Sequence, residues 1–104
     1  MTHIDIDTHM SESFPLYYAV NAGHYDAAKL LLDMGADIDK TDGSHTNALH
    51  VAIGTNSVDM VRLLLRYGAD PNDGNPLYIA HGYGIDPHII ALLLDHGAIP
   101  DYLD

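Results

Sequence analysis

A chain of 104 residues is the length of one small domain, and 47% hydrophobic residues is an ordinary globular share. Four Lys plus Arg against fifteen Asp plus Glu leave a formal charge of -11, which repels nucleic-acid phosphate and anionic lipid and argues against direct binding to either. With no cysteine there is no disulfide and no thiolate zinc site. No apolar run approaches the roughly 18 to 20 residues that cross a bilayer, and the start lacks a basic-then-apolar secretory profile, so the expectation is a soluble, cytoplasmic protein.

Residues 1–12 read as an edge segment. His3, Asp5, Asp7 and His9 alternate with Ile4, Ile6 and Thr8, which in an extended strand puts two imidazoles and two carboxylates on one face, a set able to hold a divalent metal. Alternation alone does not fix ligand geometry. The competing reading is that Ile4-Asp5-Ile6-Asp7 is similar to Asp37-Ile38-Asp39 and forms an incoming edge with a wet outer side, so no metal and no cofactor is assigned.

From residue 13 onward one pattern repeats. Leu16, Ala19, Asp26, Leu30, Leu31, Leu32, Gly35, Ala36 and Asp37 return 33 positions later as Leu49, Ala52, Asp59, Leu63, Leu64, Leu65, Gly68, Ala69 and Asp70. A third copy runs from Pro76, Leu77, Tyr78 and Ala80 to Leu92, Leu93, Leu94, Gly97 and Ala98. A period of this length marks stacked units, here about 13–40, 41–73 and 74–104. Each unit reads as two short antiparallel helices. Pro15 and Pro76 suit a first helical position, and Asn47 and Asn75 suit the N-cap before one. Val58, Val61, Leu64 and Leu65 share one helical face, away from Asp59, Arg62 and Arg66. Gly35, Gly68 and Gly97 follow each leucine run, where a left-handed residue closes a helix.

These residues resemble the ankyrin family. Its Thr-Pro-Leu-His-x-Ala element is similar to Phe14-Pro15-Leu16-Tyr17-Tyr18-Ala19, Asn47-Ala48-Leu49-His50-Val51-Ala52 and Asn75-Pro76-Leu77-Tyr78-Ile79-Ala80, and its Gly-His turn is similar to Gly23-His24. Its Leu-Leu-x-x-Gly-Ala-Asp ending is similar to the stretches from Leu31 to Asp37 and from Leu64 to Asp70, and more loosely to Leu93 through Ile99. The resemblance implies an all-α repeat fold, an ankyrin-type stack of helix-turn-helix units forming an α-horseshoe or solenoid. It also implies a β-hairpin finger over the polar stretch 36–46 and a structural role for His50, bonded to the neighbouring finger's backbone.

Three departures stand out. The second finger is cut by five residues to Asp70-Pro71-Asn72-Asp73-Gly74, which predicts a tight turn. The third unit gains a residue between its helices, where Asp86 and Pro87 suit an N-cap and first helical position. His45 stands where the family usually has Gly. The last helix, with Ile89-Ile90-Ala91-Leu92-Leu93-Leu94, also leaves an apolar stack end. Ile99, Tyr102 and Leu103 folding back, a second copy or partner, or further repeats of a longer array would cover it.

No Ser elbow, Cys nucleophile or phosphate loop is present, since Gly82-Tyr83-Gly84 lacks the basic residue and context of one, and the chain is read as non-catalytic. His81, His88 and His96 lack tight metal spacing. Full protonation of the eight histidines would move the charge from -11 to -3, which would weaken attraction for a basic partner below about pH 6.5, although surface histidines that do nothing are the preferred reading. By the resemblance, a partner protein is held on the concave face of fingers and first helices, at Asn21, Thr41, Gly43, Ser44, Thr46, Thr55, Gly82 and Tyr83, with Tyr83 as aromatic anchor. The leading expectation is a protein-binding module for a partner with a basic surface. The alternatives are an acidic inhibitor or immunity-type protein that blocks an enzyme's nucleic-acid or other basic site, and a self-associating piece using the last helix.

Overall fold

Each of the two motifs in the repeated pattern becomes a helix. The computed structural model describes residues 14–41 and 46–100, in which the Pro-Leu elements form α1 (Phe14–Ala22), α3 (Ala48–Gly54) and α5 (Pro76–Ala80). The leucine runs form α2 (Tyr25–Asp33), α4 (Val58–Arg66) and α6 (Pro87–Asp95). The helices pair as α1/α2, α3/α4 and α5/α6. The pairs stack so that α1, α3 and α5 make one layer while α2, α4 and α6 make the other.

Helix ends are written locally. Asn47 caps α3, its side chain accepting from His50 N–H at 3.0 Å while His50 Nδ1 accepts from Asn47 N–H at 3.3 Å, a reciprocal capping box. The Asp86 carboxylate caps α6 through His88 N–H at 2.9 Å, with Pro87 at the first helical position. Asn75 differs from the expectation. It enters α5 in the left-handed conformation, φ +61°, and its side chain makes no capping bond to the helix. Gly35, Gly68 and Gly97 all have φ between +95° and +99°, and the next amide of each returns to a carbonyl five residues back, as Ala69 does to Leu64 at 3.0 Å. That closure needs a residue without a Cβ penalty.

Among the described residues no strand forms. Asp37 accepts from Asp39 N–H at 3.0 Å and Asp70 from Asn72 N–H at 2.8 Å, so the chain bends at the base of both loops where a hairpin arm would have to run straight. Beyond it the second loop is a series of turns, with Asp73 N–H to Asp70 O and Asn75 N–H to Asn72 O both at 3.3 Å, as its shortening predicts. His45 lies outside the described residues, as does the segment 1–12 with its His3, Asp5, Asp7 and His9.

The core is one continuous cluster running through all three pairs, from Leu16, Val20 and Ala28 through Leu49, Ile53, Met60 and Leu64 to Leu77, Ile89 and Leu93. Burying each large aliphatic side chain contributes about 1.5–3 kcal/mol. Val61, Leu64 and Leu65 are buried as the spacing predicts, but Met60 and Leu63 are buried as well, because α4 has neighbours on both sides. Ile99 does not fold back over α6. It stays exposed, its N–H fixed at 2.8 Å to Asn72 Oδ1. Tyr102 and Leu103 lie outside the described residues.

Candidate functional site

The layer of α1, α3 and α5, with the loops that precede α3 and α5, forms the face on which the resemblance places a partner. Its central fixture is His50. With Nδ1 accepting from Asn47, the ring hydrogen sits on Nε2 and is donated to Asp73 O at 2.8 Å, tying α3 to the following turn as the resemblance implies. Asn47 Nδ2 adds a longer contact to the Asp73 carboxylate at 3.5 Å. The turn has to pass close over the imidazole. Gly74, at φ +75°, lies where any Cβ would overlap the His50 ring.

Acid gathers beside this fixture. Partial desolvation, and then the negative charges of Asp37, Asp73 and Asp70, push the Asp39 carboxyl above its usual value, against the bond it accepts from the Asp70 amide. Carboxylates from two successive loops therefore lie close enough to act on Asp39. Asp42, which follows Asp39 in the first loop's sequence, lies outside the described residues.

The predicted contact residues fall into two rows. Thr41 and Thr46, both half-buried, flank the first loop, and Gly43 and Ser44 between them lie outside the described residues. Asn21, Thr55, Gly82 and Tyr83 stand at the far ends of α1, α3 and α5, all exposed. Seven residues of α3 at ~1.5 Å each keep the rows about 10 Å apart. Thr55 bonds back to Val51 O at 3.0 Å and Ala52 O at 3.2 Å, and so closes α3. Gly82 is held 3.0 Å, measured from an added Cβ, off Ile79 O. Tyr83 is fully exposed.

Several side chains on or near this face were not singled out from sequence. Tyr18 and Tyr78 are both largely exposed on the inner helices; Tyr78 shares the place of His50 but lacks its burial. Asn56 donates to Gly84 O at 3.3 Å and accepts from Asp86 N–H at 2.7 Å, while Asn72 donates to Gly97 O at 3.1 Å and accepts from Ile99 N–H at 2.8 Å. Both clamp the third pair to the second. A signal was present for each, since Asn56 shares the left-handed place of Gly23 and Gly84, and Asn72 the place of Asp39. On the outer layer the Tyr67 hydroxyl donates to Asp33, and that bond, then Lys29 at 3.2 Å, holds the Asp33 carboxyl below its usual value.

The described histidines do not converge. His50 is buried, whereas His24, His81, His88 and His96 are exposed, and among the described residues no three His or acidic side chains form a group able to hold a metal ion. No helix among them is long and apolar enough to cross a membrane.

Known proteins share this arrangement. A family model described as ankyrin repeats, in three copies, matches residues 16–104. The B-cell lymphoma 3 protein homolog of Mus musculus is 40% identical over 89 residues, covering 80% of this chain and 20% of that protein. The transient receptor potential channel pyrexia of Drosophila melanogaster is 33% identical over 108 residues, covering 97% of this chain and 11% of the channel. The crystal structure of the ankyrin repeat domain of Bcl-3 superposes with a TM-score of 0.70 at 34% identity, over 81% of this chain and 39% of that one. The chain thus spans a fifth or less of the length of these two relatives.

Proposed function

Since the chain belongs to the ankyrin-repeat family, whose repeats are protein–protein interaction modules, we propose that it is a non-catalytic cytoplasmic module that holds a partner protein with a basic surface on its inner-helix face. Units of the same kind occur in a protein named as an ion channel and in one named for a lymphoma, so the fold sets the mode of action and leaves the client to the surface.

The observation that carries the basic partner is the gathering of Asp37, Asp70 and Asp73 around Asp39 beside that face. Converging negative potential raises the rate of encounter with a basic patch, and exposed aromatics supply more of the hold. Tyr83 is the first anchor, with Tyr78 on α5 as a further exposed ring. The same convergence favours the second reading, in which the carboxylates occupy the nucleic-acid groove or other basic site of an enzyme and inhibit it. The two readings differ in the consequence for the client, not in the surface used.

Capture from the native cell with the wild-type chain and with a Tyr83→Ala, Thr46→Arg double variant tests the proposal. One specific protein band, lost with the double variant while its circular dichroism stays unchanged, is the expected result. Equal capture by both chains refutes the assigned face. If the band is an enzyme whose activity falls on adding the chain, the inhibitor reading stands; unchanged activity leaves the plain binding module.

A further inference from the structure

The middle helix pair shows what each end of the stack lacks. Leu30 and Leu63 hold equivalent places in α2 and α4, yet Leu63 is 1% exposed and Leu30 is 59% exposed. The difference is that α4 has α2 packed beside it, and among the described residues nothing packs on the other side of α2. Tyr18 is likewise exposed where Val51 is buried. Tyr67 reaches back to Asp33 of the preceding pair, while Met34 at the same place in the first pair is exposed. Tyr18, Leu30 and Met34 therefore stand exposed at the places that, in the middle pair, meet the preceding pair, and so look backward along the stack.

At the other end the comparison reverses. Leu94 is 45% exposed where its equivalents Leu32 and Leu65 are 7% and 4% exposed. Ile90 is half-buried where Ala28 and Val61 are fully buried. These two look forward.

We propose that the two surfaces meet between copies, the forward face of one chain on the backward face of the next, in the register that already joins α2 to α4 and α4 to α6. The occupant is a second copy because one chain carries both halves of a contact that it also forms twice internally, so the proposed interface continues an existing one. Such a contact is heterologous and does not close on itself, so copies add at both ends into short rods. A charge of -11 on every copy opposes this, and salt that screens the charge favours it. The inner-helix face stays open throughout, so the inference is independent of the binding function proposed above.

Sedimentation velocity on the full chain and on Leu30→Asp and Leu94→Asp variants decides it, over about a hundredfold range of concentration and at about 0.15 and 0.5 M salt. Both positions are exposed in the single chain, so circular dichroism of the variants should match wild type. The wild-type mass should grow beyond a dimer with concentration, and more so at the higher salt. Each variant alone should stay monomeric. An equimolar mixture should stop at a dimer, because only one backward face and one forward face remain to meet. A wild type that is monomeric throughout, a variant that still assembles alone, a mixture that stays monomeric, or assembly that weakens with salt would each overturn the proposal.

Discussion

Asp39 and Asn72 occupy the same place in successive repeats, and Asn72 does more. Its amide accepts from Ile99 N–H at 2.8 Å and donates to Gly97 O at 3.1 Å, whereas Asp39 accepts from the Asp70 amide but has no hydrogen to offer the equivalent Gly68 carbonyl. Asp39→Asn should thus copy the second junction's latch into the first and remove one charge from a crowded set. A net hydrogen bond is worth about 0.5–1.5 kcal/mol, and exposure puts this one at the lower end, about 0.5–1 kcal/mol. For a domain of this size that raises Tm by about 2–8 °C. The pH dependence has a defined sign. Because the folded-state value of Asp39 is raised, the folded chain holds that proton more tightly than the unfolded chain. Its contribution is fully present below the usual Asp range and is lost as pH rises through the raised value. Asn does not titrate, so the variant's advantage should grow between about pH 3.5 and pH 7. Urea denaturation of both chains at the two pH values measures it. A variant no more stable than wild type at pH 7, or one whose advantage is larger in acid, refutes the reasoning.

Leu63→Ala should cost about 2–5 kcal/mol in chemical denaturation, and Leu30→Ala, at the equivalent but exposed place, about 0.5 kcal/mol or less at concentrations where the chain is monomeric. Equal costs would mean that the two leucines have equal surroundings. Gly74→Ala should cost more than about 1 kcal/mol, since a left-handed φ and the His50 ring both oppose the methyl. His50→Ala should cost about 1–3 kcal/mol by itself. Together the two should cost less than their sum, because the ring that the added methyl strikes is gone; strict additivity in the double-mutant cycle would contradict that contact. Tyr67→Phe should lower Tm at neutral pH by removing the bond that depresses Asp33. The Asp33 contribution is present above the usual Asp range and lost as pH falls through the lowered value, so thermal scans of the two chains should converge in acid.

The helices were legible because their punctuation is local. Gly35, Gly68 and Gly97 stop a helix wherever the rest of the chain goes, and Asp86-Pro87 or Asn47 starts one within three residues of itself. The shortened second loop was legible from counting alone. What pattern matching did not show is where equivalent places do unequal jobs. Tyr78 stands in the His50 position without its burial, because His50 is covered by the turn at Asp73 and no such turn follows Tyr78 among the described residues. The convergence of Asp37, Asp39, Asp70 and Asp73 depends on the spacing of two loops, which no stretch of either loop encodes.

The two junctions are built differently, and the departures in the third repeat account for it. Between the first and second pairs the long helices α1 and α3 pack side by side, assisted by Tyr67 on Asp33 and Asp39 on the Asp70 amide. Between the second and third pairs, α5 has only five residues, and the loop before it has lost the length of a finger. There α5 and α6 still pack on α3 and α4, and both edges add side-chain amides that each accept one bond and donate one, Asn56 at the helix-turn edge and Asn72 at the loop edge. Asn is suited to the first place for two reasons at once, since it tolerates φ +60° where Gly23 and Gly84 stand in the other repeats and still carries an amide that can reach across. A junction whose loop is shortened thus keeps its helix packing and adds directional hydrogen bonds at both edges, which tie the third pair, with Tyr78 and Tyr83, to the second.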